Sequence, residues 1–467
     1  LSKIVIKFGG SNMRRPEDIA KLARIAKGYG RPFVAVVSAF YGVTDEIEEC
    51  VRKASEGGHD EGAFAARLLA LKERVIEAAV APARRAAVLA QVSERVARLE
   101  RYLLGIHYLE DVPGFARDAA LSYGERLSSA VLAAAFADAG LPCEEALPED
   151  IGLVAEGEFG NAGCDLAASE PRVRDRLSGD RSYVVPGFYG VGADGRVRLF
   201  GRGGTDYSAA CIARCLGAES LDVWKDVRGF LAADPGAVDA PGLIPHLSYA
   251  EAAELSYFGA KILHPRTVEP LLGRGIPIRI FDIEGPESGA APGTVIDAGR
   301  SFASGAARAV SATSGIGILK LHGPGVGFKR GILAKAASAL DGAGINIKSV
   351  ITAQTSIDIL LAEPELPKAE AALKEHRVDG VLEVSAKPGL AIVAVVGDGL
   401  LEERAGGRGV AARALAAVRA AGVHVYLTQA GASEVAVYII VDAEAKVKAV
   451  RAAHAEFFGK KGGGCEE

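Results

Sequence analysis

Two short segments place a lysine, an arginine, an aspartate and several glycines where chemistry on a phosphate becomes possible. The first, Lys7-Phe8-Gly9-Gly10-Ser11, follows the apolar run Ile4-Val5-Ile6, and the second is Phe200-Gly201-Arg202-Gly203-Gly204-Thr205-Asp206. Glycine has no Cβ, so a glycine-rich bend brings backbone N–H groups close to a phosphate or carboxylate. Arg202 offers a planar fork suited to either anion, and Asp206 can hold a lysine ammonium or a metal ion. Either segment alone also describes a solvated turn. A strand running into a Gly-Gly turn with a lysine at its end says more, because α/β proteins present N–H groups to phosphate chains in that way.

Such turns need elements to hold them, and residues 1–297 alternate short apolar strands with amphipathic stretches. Strands are predicted at 4–8, 33–38, 183–188, 221–224 and 277–281, all rich in β-branched residues. Pro16 opens a helix, with Glu17 and Asp18 in its first turn and Ile19, Leu22 and Ile25 on one face. Residues 63–104 predict a helical hairpin with a break near Pro82. The alternation predicts a mainly parallel sheet covered on both faces, with both glycine segments at the carboxyl ends of strands.

The pattern breaks across 284–304, and two copies of one unit follow. The first has a strand at 316–321, the loop Gly323-Pro324-Gly325-Val326-Gly327, a helix near 332–340 and Ala343-Gly344-Ile345-Asn346-Ile347. The second has a strand at 391–396, Gly397-Asp398-Gly399, a helix near 410–420 and Ala421-Gly422-Val423-His424-Val425. Each continues through a polar turn, Ala353-Gln354-Thr355-Ser356 or Gln429-Ala430-Gly431-Ala432-Ser433, into a strand and a helix. The order β-α-β-β-α-β is ferredoxin-like.

At 467 residues, with 49% hydrophobic and 24% charged, the chain has the composition of a globular protein of two or three domains. A net charge of −5 argues against non-specific binding to nucleic acid or anionic membranes. No apolar run approaches the roughly 20 residues of a membrane helix. A strand so near the start leaves no room for a signal peptide, so a cytoplasmic location is expected. Cys50, Cys143, Cys164, Cys211, Cys215 and Cys465 lack metal-type spacing and are read as reduced thiols; no protein metal cluster is expected.

Together these segments resemble the aspartate kinases (aspartokinases), members of the amino-acid kinase superfamily with C-terminal tandem ACT domains, over nearly the whole chain. Besides the two glycine segments, the match rests on Val37-Ser38-Ala39 with Val43-Thr44, on Gly124-Glu125-Arg126-Leu127-Ser128, and on Phe258-Gly259-Ala260-Lys261 with His264-Pro265. The resemblance implies an α/β three-layer sandwich at 1–297, with a roughly eight-stranded sheet, and ferredoxin-like ACT domains at 312–386 and 388–460. It implies transfer of the γ-phosphoryl group of MgATP to the side-chain carboxylate of L-aspartate. A carboxylate is nucleophilic at neutral pH, so the difficulty lies in bringing an anion to a polyanion and neutralising the charge that moves.

Carried over by motif, Lys7 stabilises the phosphoryl group in flight and Asp206 orients Lys7 or helps organise Mg²⁺. Gly9, Gly10 and Ser11 form the anion-facing turn, and Lys261 reaches the nucleotide phosphates. Ser38, Thr44, Glu125, Phe188, Arg202 and Gly203 take aspartate, with Arg202 on a carboxylate and Glu125 on the ammonium. On the nucleotide side, Lys225, Asp226 and Leu231 belong to the weakest match. The usual family form has Thr at Lys225, Tyr at Leu231 and Arg at Gly236, which leaves the adenine pocket open. Asn12 stands where the family often has Ser.

The effector site is expected at Gly325, Asn346, Gln354, Ser433 and Glu434. Lys348 stands where some lysine-responsive members carry an acid, which favours threonine over lysine as inhibitor. A homodimer or larger assembly through the ACT domains is expected. The competing readings are an amino-acid kinase acting on glutamate or N-acetylglutamate, and a catalytically weak amino-acid sensor.

Overall fold

The computed structural model describes residues 3–58, 60–259, 262–286, 289–299, 307–398, 400 and 409–459. The chain divides into two compact units. The first comprises Leu1–Phe230, Leu243–Ser256 and Lys261–Arg300, and the second Leu231–Gly242, Tyr257–Ala260 and Ser301–Glu467.

In the first unit eight strands lie in the order His246–Ser248, Thr294–Asp297, Ile278–Asp282, Leu221–Lys225, Ile4–Phe8, Phe33–Val37, Ser182–Pro186 and Cys143–Glu145. Only Ile278–Asp282 and Thr294–Asp297 run antiparallel to each other. Ile4–Phe8 and Phe33–Val37 are buried at every position, as strands covered on both faces must be. Phe8 lies opposite both Val37 and Trp224, and Val37 lies opposite Pro186. These four strands therefore end at one rim, and the turns that leave them share it.

The predicted helical hairpin is present as Glu61–Ala79 and Pro82–Leu109, with Pro82 at the first helical position, where its missing N–H costs nothing. The helix Gly114–Asp138 is buried along most of its length, and its Phe136 meets Phe33 edge-on at 6.1 Å. The strand predicted at 183–188 stops at Pro186, because Phe188 adopts φ of 77° and leaves extended geometry. Cys143–Glu145, His246–Ser248 and Thr294–Asp297 carry no readable alternation at three or four residues.

The second unit holds one antiparallel sheet in the order Ser349–Thr352, Ser356–Ala362, Ala309–His322, Glu383–Val396, Ala436–Asp442 and Val425–Ala430. Its two central strands are 14 residues each and serve both repeats. Residues 316–322 pair with Ser356–Ala362 in the first repeat, whereas residues 309–314 pair with 391–396 of the second. The second repeat is thus completed by a strand that precedes the first in sequence. The copies are interleaved, where the sequence suggested consecutive ones. Each keeps its own core, around Leu319, Ile332 and Ile359 in one and Val393, Val418 and Ile439 in the other.

Two segments from the first 300 residues belong to this unit. Val310 N–H donates to the Ala232 carbonyl at 2.8 Å, Ser311 Oγ donates to the Phe258 carbonyl at 3.0 Å, and Phe258 packs on Tyr438 at 4.7 Å. No helix among the described residues is long and apolar enough to cross a membrane.

Candidate active site

The rim of the parallel sheet encloses a cavity of ≈ 330 Å³. Ile4–Phe8 delivers Lys7 and Gly10 to it, Phe33–Val37 delivers Ser38 to Gly42, the helix Gly114–Asp138 delivers Glu125, and Phe188 and Gly203 to Asp206 close it. Hence the structure brings together Lys7, Gly10, Ser38, Thr44, Glu125, Phe188, Gly203 and Asp206 of the sequence-predicted set.

At its base Lys7 Nζ lies 2.6 Å from Asp206 Oδ1, and Lys225 Nζ lies 3.3 Å from Asp206 Oδ2. Lys7 and Asp206 are only 5% and 6% exposed. Burial alone would push the Asp206 carboxyl up, but Lys225 and Lys7 override it and hold the group well below the usual carboxylate range. Burial works against the Lys7 charge and Asp206 works for it. A 2.6 Å contact decides for an ionised pair.

The glycines have separate reasons. A Cβ on Gly9 would sit 3.2 Å from Lys7 Nζ, and one on Gly10 would sit 2.9 Å from the Ala39 carbonyl. Gly203 has φ of 72°, and a Cβ there would fall 2.3 Å from the ring of His264. It caps the helix Gly204–Leu216, whose first-turn N–H groups begin at the cavity wall. Gly9 N–H, however, donates to Asn12 Oδ1 at 2.9 Å, so that group is already occupied.

Glu125 is 4% exposed, and its Oε2 has no hydrogen-bond partner among the described residues. Burial pushes its carboxyl up to about 8, against the Ala39 N–H bond and the pull of Lys7 and Lys72. Gly124 lets the substrate-side loop approach: a Cβ there would come within 2.9 Å of Ala39 Cβ and 3.4 Å of Thr44 Oγ1. Phe188 is held in its left-handed conformation by its N–H on Ser208 Oγ (3.1 Å) and its carbonyl on Phe200 N–H (2.8 Å). Strain of this kind in a non-glycine residue persists only where its surroundings enforce it.

Other predicted residues stand apart from the cavity wall. Ser11 and Arg202 do not line it; Arg202 is exposed and pairs with no carboxylate among the described residues. Asp226 faces Arg14 at 3.8 Å, both half-exposed. Leu231 begins the segment Leu231–Gly242 of the second unit and does not line the cavity. Lys261 and Gly399 lie outside the described residues. Sequence reasoning missed Arg266, which clamps the second glycine segment by donating to the Phe200 and Ala162 carbonyls at 3.1 and 3.0 Å and packs over Tyr207. It also missed Lys72. That residue falls on the buried face traced by Phe64, Leu68, Val75 and Ile76, so helical periodicity would have exposed it.

In the second unit an open groove of ≈ 890 Å³ is lined by Gln354, Lys329 and Thr352 among mostly apolar neighbours. Gly325 and Asn346 do not line it. The N–H groups of Gly323, Val326 and Gly327 already donate to the Thr355, Gly323 and Gln354 carbonyls, which leaves that of Gly325. Ser433 Oγ accepts from Val435 N–H at 3.3 Å, and Glu434 is exposed.

A mainly parallel sheet with lysines at two strand ends clamped by an aspartate from a helix start, beside a cavity with its own buried carboxylate, suits a phosphotransferase for small amino-acid substrates. The amino acid kinase family model matches residues 2–282, and an ACT domain model matches residues 393–457. Aspartokinase 3, chloroplastic, of Arabidopsis thaliana is 30% identical over 97% of this chain and 81% of its own length. The bifunctional aspartokinase/homoserine dehydrogenase of Haemophilus influenzae is 33% identical over 72% of this chain, which spans 42% of that longer protein. In fold, the chain is similar to E. coli aspartokinase III in complex with aspartate and ADP (TM-score 0.81, 23% identity, 98% and 100% of the two chains). It is also similar to the same enzyme in complex with lysine and aspartate (TM-score 0.76, 24% identity, 98% and 99% of the chains). The chain belongs to the amino acid kinase family and, within it, to the aspartokinases.

Proposed function

We propose that this aspartate kinase binds L-aspartate in the cavity with its ammonium on Glu125 and its reacting carboxylate facing Lys7. One observation carries this reading: a buried acid with an unpartnered oxygen shares a small cavity with a buried Lys–Asp–Lys cluster. The acid suits the ammonium, and the cluster suits the phosphoryl group and the charge that gathers on it. Ser38 and Thr44 offer hydroxyls to the substrate, and exposed Arg202 supplies a cation for its α-carboxylate. Lys7 stabilises the transferring group, Asp206 fixes Lys7, and Lys225, Asp226, Lys261 and the turn Gly9–Ser11 serve the nucleotide.

ATP brings Mg²⁺ as its phosphate complex. Both oxygens of Asp206 are already engaged by ammonium groups, and no cluster of three ligating side chains occurs among the described residues. This donor set fits an ion held mainly by the nucleotide, with Asp206 as the nearest carboxylate, and the ion would neutralise phosphate charge.

The kinase unit is regulated through the two interleaved ACT repeats that share the six-stranded sheet. The groove beside Gln354 takes the effector. Threonine is favoured over lysine there, because the groove presents Lys329 and no carboxylate among its lining residues. The strands Ser349–Thr352 and Val425–Ala430 end the six-stranded sheet and offer edges to a second copy, so a homodimer or larger assembly in the cytoplasm is the working form.

The test is formation of the acyl phosphate, trapped with hydroxylamine, on L-aspartate, L-glutamate and N-acetylglutamate. L-Aspartate is expected to turn over far better, since an extra methylene spoils in-line geometry. Equal turnover of glutamate or N-acetylglutamate would overturn the assignment, and absence of turnover with all three would favour the sensor.

A further inference from the structure

In the helix Glu61–Ala79, the chemistry of Lys72 contradicts its position. It is 0% exposed on the helix's apolar face, and its Nζ has no hydrogen-bond partner among the described residues. A buried ammonium without a partner is costly, and packing alone would be served as well by Met or Leu. Its Nζ lies 3.8 Å from the centroid of the Phe40 ring, and Phe40 lines the cavity. A cation over an aromatic face gains from the ring's charge distribution, most of all where water is excluded. Phe40 is also tied to the helix that carries Glu125, since Phe40 N–H donates to Ser128 Oγ at 3.1 Å and Ser128 Oγ donates to the Gly124 carbonyl at 3.0 Å.

We propose that Lys72 is a positioning residue of the aspartate site: its ammonium holds the Phe40 ring in the cavity wall and supplies a buried positive charge against which Glu125 ionises. This rests on Glu125 as the acceptor of the substrate ammonium. The charged groups around the pair come from three other elements. Lys72 faces Glu46 of the helix Val43–Ser55 and Glu125 of the helix Gly114–Asp138, while Glu125 faces Lys7 of the first strand as well as Lys72. Burial brings Lys72 down to about 7, against the pull of Glu46 and Glu125. Its charge is therefore about half present at pH 7 and fades as pH rises toward 8, so it aids Glu125 most at neutral pH and is not locked into an ion pair that would compete with the substrate.

The experiment compares Lys72→Met, Glu125→Gln and the double variant by kcat/KM for aspartate and for ATP between pH 6 and 9, with Tm as a control. Lys72→Met keeps length and apolar bulk while deleting the charge, so Tm should hold or rise. The aspartate profile should fall by about several-fold near pH 7, where Lys72 carries about half its charge, and rejoin the parent's toward pH 9, with the KM for ATP unchanged. In the Glu125→Gln background the same change should no longer shift the profile. A Lys72→Met profile that superposes on the parent's, or KM values for aspartate and ATP that rise together with a falling Tm, would overturn the proposal. If Glu125→Gln itself left the aspartate KM unchanged, the reading of Glu125 would fail first, and the two failures are separable.

Discussion

Lys7 Nζ and Asp206 Oδ1 stand 2.6 Å apart at the carboxyl end of the first strand, and Asp206 uses its second oxygen to hold Lys225 at 3.3 Å. One carboxylate thus fixes two ammonium groups where phosphate charge must gather. Coulomb attraction between lysine and phosphate is strongest in such a dry site, and prior fixation means little is spent on reorganisation during transfer.

Lys7→Ala should cost on the order of 10²-fold or more in kcat, the range for removing a preorganised electrostatic group. Aspartate KM should change much less. Steady-state kinetics beside a thermal melt would check this; activity within a few-fold of the parent would return Lys7 to a structural role.

Lys225→Thr keeps a hydroxyl donor in place of the ammonium and leaves Asp206 with one ammonium. If Lys225 serves the nucleotide, the KM for ATP should rise on the order of tenfold, the worth of a charge-assisted hydrogen bond. An unchanged or lower ATP KM would show that Thr serves equally well and that Lys225 only buttresses Asp206.

Glu125 gives a pH signature of stability. Its carboxyl has an ordinary value of 4.5 and rises to about 8 when folded, so the folded state holds its proton more tightly. The stability it contributes is complete below about 4.5 and is lost as pH rises through about 8. Relative to Glu125→Gln, the parent should therefore lose stability between pH 5 and 9, read by denaturant melts at both ends. Aspartate binding should move the other way and strengthen with pH as the carboxylate forms. A constant difference between parent and variant would contradict both.

Gly203→Ala should nearly abolish activity. Its φ of 72° costs a side chain on the order of 1–3 kcal/mol, and the added Cβ would collide with His264, displacing the start of the helix that carries Asp206. Gly195, also at positive φ but with open space around it, is the control: Ala there should lower Tm modestly and leave kcat intact.

Inhibition is expected from L-threonine at millimolar concentration and not from L-lysine alone. Lys348, which packs over Tyr257 at 5.1 Å, adds no acid to the first repeat. Inhibition by lysine alone that survives Glu434→Ala would defeat the charge argument.

Much of this protein was legible in its sequence because the governing signals are local. Ile4–Phe8 reads as a buried strand from five residues, Pro82 starts a helix by its own geometry, and a Gly-Gly turn marks where the chain leaves that strand. The family resemblance then named the reaction and most of the cavity. Tertiary structure decided what depends on partners distant in the chain. It set Lys225 against Asp206, set Phe188 in a left-handed conformation, and buried Lys72 beside Phe40. It interleaved the two repeats by pairing 309–314 with 391–396, a choice open to any antiparallel sheet and written in no single segment. Strand pairing and buried charge are properties of contacts between segments, whereas periodicity, caps and turns are properties of the segments themselves.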